Sequence, residues 1–323
     1  MLACARLPDY CAAAIMLSRF RQRFALLSPN MRGALWLIAG SMCFTGVGVL
    51  IKLLGRELDS LQIAFFRCIF GLLFVLPLML RRNFASLRSK RHFAHFWRAA
   101  LGTCSMAIGF YALTHLTLAA VTSISFTTPL FVIVVAVLFL GEKVRWRRWT
   151  ATVVGFVGVL IMMRPGEGGF DPVMLMALFG AALTAIAVCL VKSLTGSESS
   201  NTTLIMFTIW SSLFMVGPAI WVWTDPGLVA WIMAAAMGLL ATIGQHFIIR
   251  AYTEGEASVV SPFDYLRLPL SVAAGVWIFA ETPSWWTLAG ALVIVVSTLY
   301  IARREAQLGK PVIPEAKSEK VGP

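Results

Sequence analysis

One stretch of this chain occurs twice, and the two copies carry opposite loop charges. Moving residues 112–164 forward by 139 positions, without a gap, puts Ala112, Thr114, Glu142, Trp146 and Arg164 on Ala251, Thr253, Glu281, Trp285 and Arg303. At a shift of 140, Gly40 and Lys52 fall on Gly180 and Lys192. The loop after Glu142 reads Lys143, Arg145, Arg147, Arg148, whereas the loop after Glu281 reads Thr282, Pro283, Ser284, Trp285 with no base. Basic loops stay on the cytoplasmic side of a membrane, and base-free ones can cross it. Related halves whose matching loops lie on opposite sides form an inverted-topology repeat. In folds of that kind the substrate site lies near the bilayer midplane, where the repeats meet.

Composition makes a membrane the expected solvent. Of 323 residues, 59% are hydrophobic and 13% charged, against about 25% charged in soluble domains. The net charge of +12 comes from bases in short loops between apolar spans. Retention in the cytoplasm and anionic lipid headgroups account for that pattern, and nucleic acid is not an expected partner. The six cysteines contain no CxxC pair, and four lie in apolar spans, so neither a disulfide framework nor a zinc site is indicated.

Spans of about 20 apolar residues fit at ten places, about 33–54, 61–80, 97–115, 118–140, 148–164, 172–193, 203–223, 227–250, 257–280 and 284–302. The expected fold is therefore an all-α membrane protein with ten transmembrane helices arranged as two inverted five-helix repeats. Residues 1–30 read as a basic cytoplasmic lead-in without a signal-peptide cleavage site, with Met16 and Met31 as alternative starts. Residues 31–166 and 170–303 form the repeats, and 304–323 form a disordered cytoplasmic tail. The lead-in, the loop 81–91, the loop 143–148 and the tail hold most of the bases, while the opposite loops contain at most Arg56, Arg164 and His115. Both termini are thus expected in the cytoplasm. Ala177/Ala181/Ala185, Ala234/Gly238/Thr242 and Ser271/Gly275 repeat at a four-residue spacing that permits close helix packing. Trp36, Trp210, Trp221, Trp223, Trp231, Trp285 and Trp286 mostly fall near span ends, as an interfacial aromatic belt would.

Several ordered motifs carry a family resemblance. They are Ala64-Phe-Phe-Arg67 with Pro77 downstream, Pro129 to Gly141-Glu142 with Trp146, and Arg250-Ala-Tyr followed by Glu256 to Tyr265 and Glu281. In this order the chain resembles the drug/metabolite transporter superfamily in its EamA-repeat form, over about residues 31–303. It looks closest to the branch holding bacterial S-adenosylmethionine and riboflavin transporters. The resemblance implies a secondary transporter of a small polar metabolite in the bacterial inner membrane, working by alternating access without ATP or any cofactor. It also implies a central cavity lined by spans 3, 4, 8 and 9 with parts of 1 and 6. The expected partners are a small-molecule metabolite and the lipid bilayer, with the chain a monomer or homodimer. Amino-acid or metabolite exporters share the architecture. A membrane-embedded scaffold or enzyme is the alternative from another class, although no P-loop, HExxH or GxSxG element supports it.

The candidate substrate-binding residues are polar groups inside spans, where a charge normally faces the bundle interior or water. Arg67 reads either as a structural arginine or as an anchor for a carboxylate. Asp264, Tyr265 and Arg267 lie between Pro262 and Pro269, and the matching stretch of span 4 offers Ser125 and Thr128 beside Pro129. Prolines break helices locally, and transporters place sites at such breaks. At i and i+3, Asp264 and Arg267 share a helix face and are expected to neutralise each other. Gln245 and His246 sit in the middle of span 8, and Tyr111 is the span-3 counterpart of Arg250. Glu142 and Glu281 read as a cap or tether in each half, and Lys52 and Lys192 as span-end anchors.

Overall fold

Proline and the capping residues set where the helices stop and start. The computed structural model describes residues 26–81, 89, 91–140, 146–163, 171–194, 200–255 and 261–308. Its helices are α1 (Pro29–Leu54), α2 (Ser60–Arg81), α3 (His92–His115), α4 (Leu118–Ser125), α5 (Thr128–Leu140), α6 (Trp146–Met163), α7 (Pro172–Leu194), α8 (Ser200–Trp221), α9 (Leu228–Glu254), a 3-10 helix (Ser261–Leu266), α10 (Arg267–Phe279) and α11 (Trp285–Leu308). The described elements are all helical. The lead-in to residue 25, Glu142 with Lys143 and Arg145, Arg164 and the tail beyond 308 lie outside the described residues, as does the side chain of Lys192.

Ser28 caps α1, its hydroxyl accepting from Met31 N at 3.3 Å with Pro29 in the first turn. Leu116 is extended, and Thr117 caps α4 by accepting from Ala120 N at 3.2 Å. That run of the chain breaks again at Phe126 and Thr127, just ahead of Pro129. Proline has no N–H to give and fits a helix without loss of a hydrogen bond in its first turn, and α5 starts afresh there. In the second half, Pro262 sits in the 3-10 helix and Pro269 in the first turn of α10. Corresponding stretches of the two halves are therefore both discontinuous. Span 3 was expected from residue 97, but α3 begins at His92, which puts Arg98 in the second turn of the helix rather than at its end.

Among the described residues, six segments are long and apolar enough to cross a membrane by length and composition: Pro29–Leu54, Ser60–Pro77, Leu118–Val135, Pro172–Val191, Thr202–Trp221 and Leu228–Ala251. Shorter apolar helices run over Thr152–Met162 and Trp285–Ser297. The outer surface keeps large apolar side chains exposed, with Trp221 at 87% and Trp277 at 85%. A soluble fold buries such groups, whereas a lipid-facing one leaves them outside. Trp221, Trp223, Trp231, Trp285 and Trp286 lie at helix ends as an aromatic belt requires. Trp210 does not. It lies in the middle of α8, meets Phe96 edge to face and stacks on Phe214, with centroids 5.3 and 5.8 Å away.

The packing keeps its pattern when the halves are exchanged. Helix α1 packs on α9, and its counterpart α7 packs on α3. Likewise α2 meets α9 as α8 meets α3, while α2 with α8 and α6 with α11 each join an element to its own counterpart. The duplicated glycines mark the equivalent crossings. A methyl group at Gly40 would lie 3.1 Å from Ile248 and 3.3 Å from Gly244 O. At Gly180 it would lie 3.0 Å from Ile108 and 3.6 Å from Ser105 O, one half-length earlier. Close backbone approach of this kind requires small residues. Ala177, Ala181, Ala185 and Ala234 are buried for the same reason. The largest core cluster lies among α1, α2, α3, α8 and α9, around Ile51, Ile63, Phe66 and Met237.

Candidate functional site

The two discontinuous stretches meet. Arg267, the first residue of α10, donates from Nη2 to Ser125 Oγ at 3.0 Å and lies over the Phe126 ring, 5.3 Å from its centroid. One turn later along α10, Ser271 accepts from Thr122 Oγ1 at 3.0 Å. Tyr265 packs on Phe126 with centroids 4.9 Å apart. The helix ends freed at the prolines thus bring a guanidinium and three hydroxyls to one junction between the halves.

Two cavities open at this junction, and a third adjoins the first at Arg67. The first, about 420 Å³, lies among α1, α2, α3, α4, α7, α8 and α10 and is reached by Thr45, Arg67, Thr122, Ser125, Arg267 and Ser271. The second, about 290 Å³, shares Ser125, Thr184 and Arg267 with it and adds Ser105 and Thr128. The third, about 420 Å³, lies among α2, α3, α8 and α9 and is lined by Arg67, Arg98, Thr208, Gln245 and His246, among others. Arg67 and Phe207 border both larger cavities and form the wall between them. Volumes of this size suit small-molecule ligands, for which pockets run about 300–1,000 Å³.

Of the candidate residues, Arg67, Gln245 and His246 share the third cavity, while Ser125, Thr128 and Arg267 share the second. Asp264, Tyr265 and Tyr111 line none of the three. Tyr111 instead stacks on His115 at 4.0 Å. The expected pairing of Asp264 with Arg267 is replaced by two separate contacts. Asp264 Oδ1 accepts from Ser41 Oγ of α1 at 3.0 Å, while Arg267 turns to α4. A shared helix face permits an i,i+3 contact without enforcing it, and neighbours on either side supply nearer partners.

Arg98 and Ser41 are additions that the sequence reading missed. Arg98 lies over Phe207, 4.3 Å from its centroid, and donates to Thr203 O at 3.5 Å. The sequence signal was present, since Arg98 lies within the expected span, and it ceases to read as a span-end base once the helix start moves to His92. Ser41 sits among apolar residues of α1 and offers no signal of its own.

The Lys52 end of α1 is closed by charge. Lys52 pairs with Glu281 and donates to Leu116 O at 2.6 Å, while Glu281 accepts from Leu118 N at 3.0 Å. Phe279 lies against both Lys52 and Arg56, with centroids 5.5 and 5.8 Å away. Glu281 reaches this position because Ala280 adopts a left-handed conformation (φ 53°, ψ 31°), and Glu281 N then bonds to Gly275 O at 3.0 Å. Its carboxylate thereby joins α1, α4 and α10. Leu118 and Ile51, just inside, line the first cavity, so the tie lies beyond its end. At the other end of α1, Glu254 accepts from Trp36 Nε1 at 3.2 Å and pairs with Arg32 at 3.5 Å and Arg250 at 3.7 Å.

A duplicated helical bundle with internal cavities where its halves meet has known relatives. The profile of the EamA-like transporter family matches residues 31–164 and again 171–303. The chain is 30% identical over 279 residues to an S-adenosylmethionine uptake transporter of Rickettsia felis, covering 86% of this chain and 95% of that one. It is 32% identical over 279 residues to a riboflavin transporter of Rhizobium johnstonii, covering 84% and 91%. A pseudopaline exporter of Pseudomonas aeruginosa is 26% identical, covering 84% and 96%. A solved crystal structure 16% identical in sequence superposes with a TM-score of 0.54 over 83% of this chain and 98% of its own, which speaks to the fold alone. With two family repeats accounting for most of its length, the chain belongs to the EamA-like transporter family.

Proposed function

We propose that this protein is a secondary transporter of a small polar metabolite in the bacterial inner membrane, working by alternating access. The observation that carries the reading is the polar junction of α4 and α10. Two discontinuous helices, one from each half, meet beside cavities of about 420 and 290 Å³ inside an otherwise apolar bundle. Broken helices at a repeat interface are where such carriers hold their cargo. In this reading the chain crosses the membrane ten times, α4–α5 forming one crossing and the 3-10 helix with α10 another. The two halves run in opposite directions, with both termini in the cytoplasm. Support comes from the packing pattern that survives exchange of the halves and from the loop charges. The binding residues are Arg67, Ser125, Thr128, Gln245, His246 and Arg267 at the cavities, with Asp264, Tyr265 and Tyr111 behind them.

S-adenosylmethionine- and riboflavin-like solutes are the first cargoes to test, since relatives about 30% identical over most of the chain carry those names. Purified protein in proteoliposomes should take up one of them in radiolabelled form, and empty liposomes should not. Failure to move either solute or a wider metabolite panel, with and without a pH gradient, refutes the transport reading. Reporter fusions after Arg91 and after Arg148 should report cytoplasm, and one at Asp225 the outside. A cytoplasmic signal at Asp225 refutes the inverted arrangement.

A further inference from the structure

We propose that the interior selects a solute by its oxyanion, a phosphate or carboxylate group held at Arg67 between Arg98 and Arg267. This deepens the transport reading and rests on it for the identity of the pathway. The three cavities are lined by three arginines and one histidine, and none of their lining residues carries a carboxylate. Among the described residues the ion pairs engage Arg32, Lys52 and Arg250 with Glu254 and Glu281, and none engages the three interior arginines. Asp264, the acidic residue nearest in sequence to Arg267, accepts from Ser41 and lines none of the cavities.

Charges inside a membrane domain are expensive unless compensated. Salt-bridged arginines elsewhere in this molecule satisfy that condition, and among the described residues the interior ones have no protein counter-charge. Arg98 gives one N–H to Thr203 O, and Arg267 gives one to Ser125. Each guanidinium presents five donors in a planar fork, so most remain for a bidentate oxyanion. Arg67 borders both large cavities, so one bound anion would be passed between chambers without leaving its cation. The same field repels cationic solutes and raises the local concentration of anions by about tenfold or more.

The test reads the field first and the ligand second. Thr242 lines the chamber of Arg67 and Arg98. In the full chain with its six native cysteines replaced, Thr242→Cys is labelled with two thiosulfonates of similar size, one ending in a sulfonate and one in a trimethylammonium. Rates are taken relative to those for a free thiol. The anionic reagent should react at least about tenfold faster, and Arg98→Gln should shrink that preference. Equal rates, or faster reaction of the cation, overturn the proposal. Protection then separates the two oxyanions. Flavin mononucleotide should slow labelling more than riboflavin if the group is a phosphate. S-adenosylhomocysteine should slow it more than its carboxyl methyl ester if the group is a carboxylate. If neither oxyanion-bearing compound outperforms its partner, the oxyanion claim falls. These readouts need no flux, so failure of transport in proteoliposomes leaves them standing as an independent result.

Discussion

Two gatherings of charge in this bundle, at the end of α1 around Lys52 and in the interior around Arg67, have opposite arrangements. At the end, Lys52 and Glu281 face each other, and each takes a backbone partner as well, Leu116 O and Leu118 N. In the interior, Arg67, Arg98 and Arg267 line cavities whose described residues offer hydroxyls, carbonyls and aromatic rings but no carboxylate. A closed set of charges holds elements together. An incomplete one leaves room for a ligand to complete it. The difference separates a structural tie from a binding surface more clearly than burial does, because both regions are only partly buried.

Breaking the tie should have the largest effect on stability. Glu281→Gln leaves Lys52 without its counter-charge and weakens the cap on Leu118 N. Loss of one partner of a fully buried pair costs about 3–5 kcal/mol, and the partial exposure here, 18 and 11% for the two side chains, puts the expected loss at about 2–3 kcal/mol. Thermal unfolding in detergent measures it. Adding Lys52→Met should return most of the loss, and a double variant no better than the single would mean that the pair is not the tie. Next in size is Arg67→Gln, which should weaken solute binding by about 2 kcal/mol, roughly thirtyfold, with the melting temperature nearly unchanged. If it unfolds the protein as Glu281→Gln does, the contrast between the two regions is wrong.

The duplicated crossings sharpen the comparison between the halves. Gly40→Ala and Gly180→Ala should each cost about 1–2 kcal/mol by overpacking against α9 and α3 respectively, with similar drops in melting temperature. A large loss from one and none from the other would show that the two crossings are not equivalent. The smallest effect is expected at Ala280, whose left-handed backbone is unfavourable for a residue with a Cβ. Ala280→Gly should be neutral or stabilising by up to about 1 kcal/mol, measured in the same unfolding assay, provided Glu281 keeps its place.

Much of this was legible along the chain. The apolar runs gave the helices, Pro129, Pro262 and Pro269 located the two discontinuities, and the repeat of Gly40 at Gly180 anticipated matched crossings. Ser125 and Arg267 were recognisable as polar residues beside those prolines, and the structure puts them 3.0 Å apart. The partner of Asp264 was not legible, because Ser41 lies 223 residues away and nothing local distinguishes it from other serines in spans. Arg98 was missed for a simpler reason, a helix start misplaced by five residues, from His92 to Trp97.

By itself the sequence determined that the chain forms long apolar helices, that it is duplicated, and where its helices break. These follow from local chemistry, the transfer of apolar side chains out of water and the missing N–H of proline. Only the tertiary structure decided which charges are paired and which are left facing a cavity. In a soluble helix an apolar stripe shows which face turns inward. Here lipid and core are both apolar, so the rotation of each helix about its axis leaves little trace in its pattern. Lys52 meeting Glu281, and Arg67 meeting no acid, are settled by packing between residues far apart in the chain.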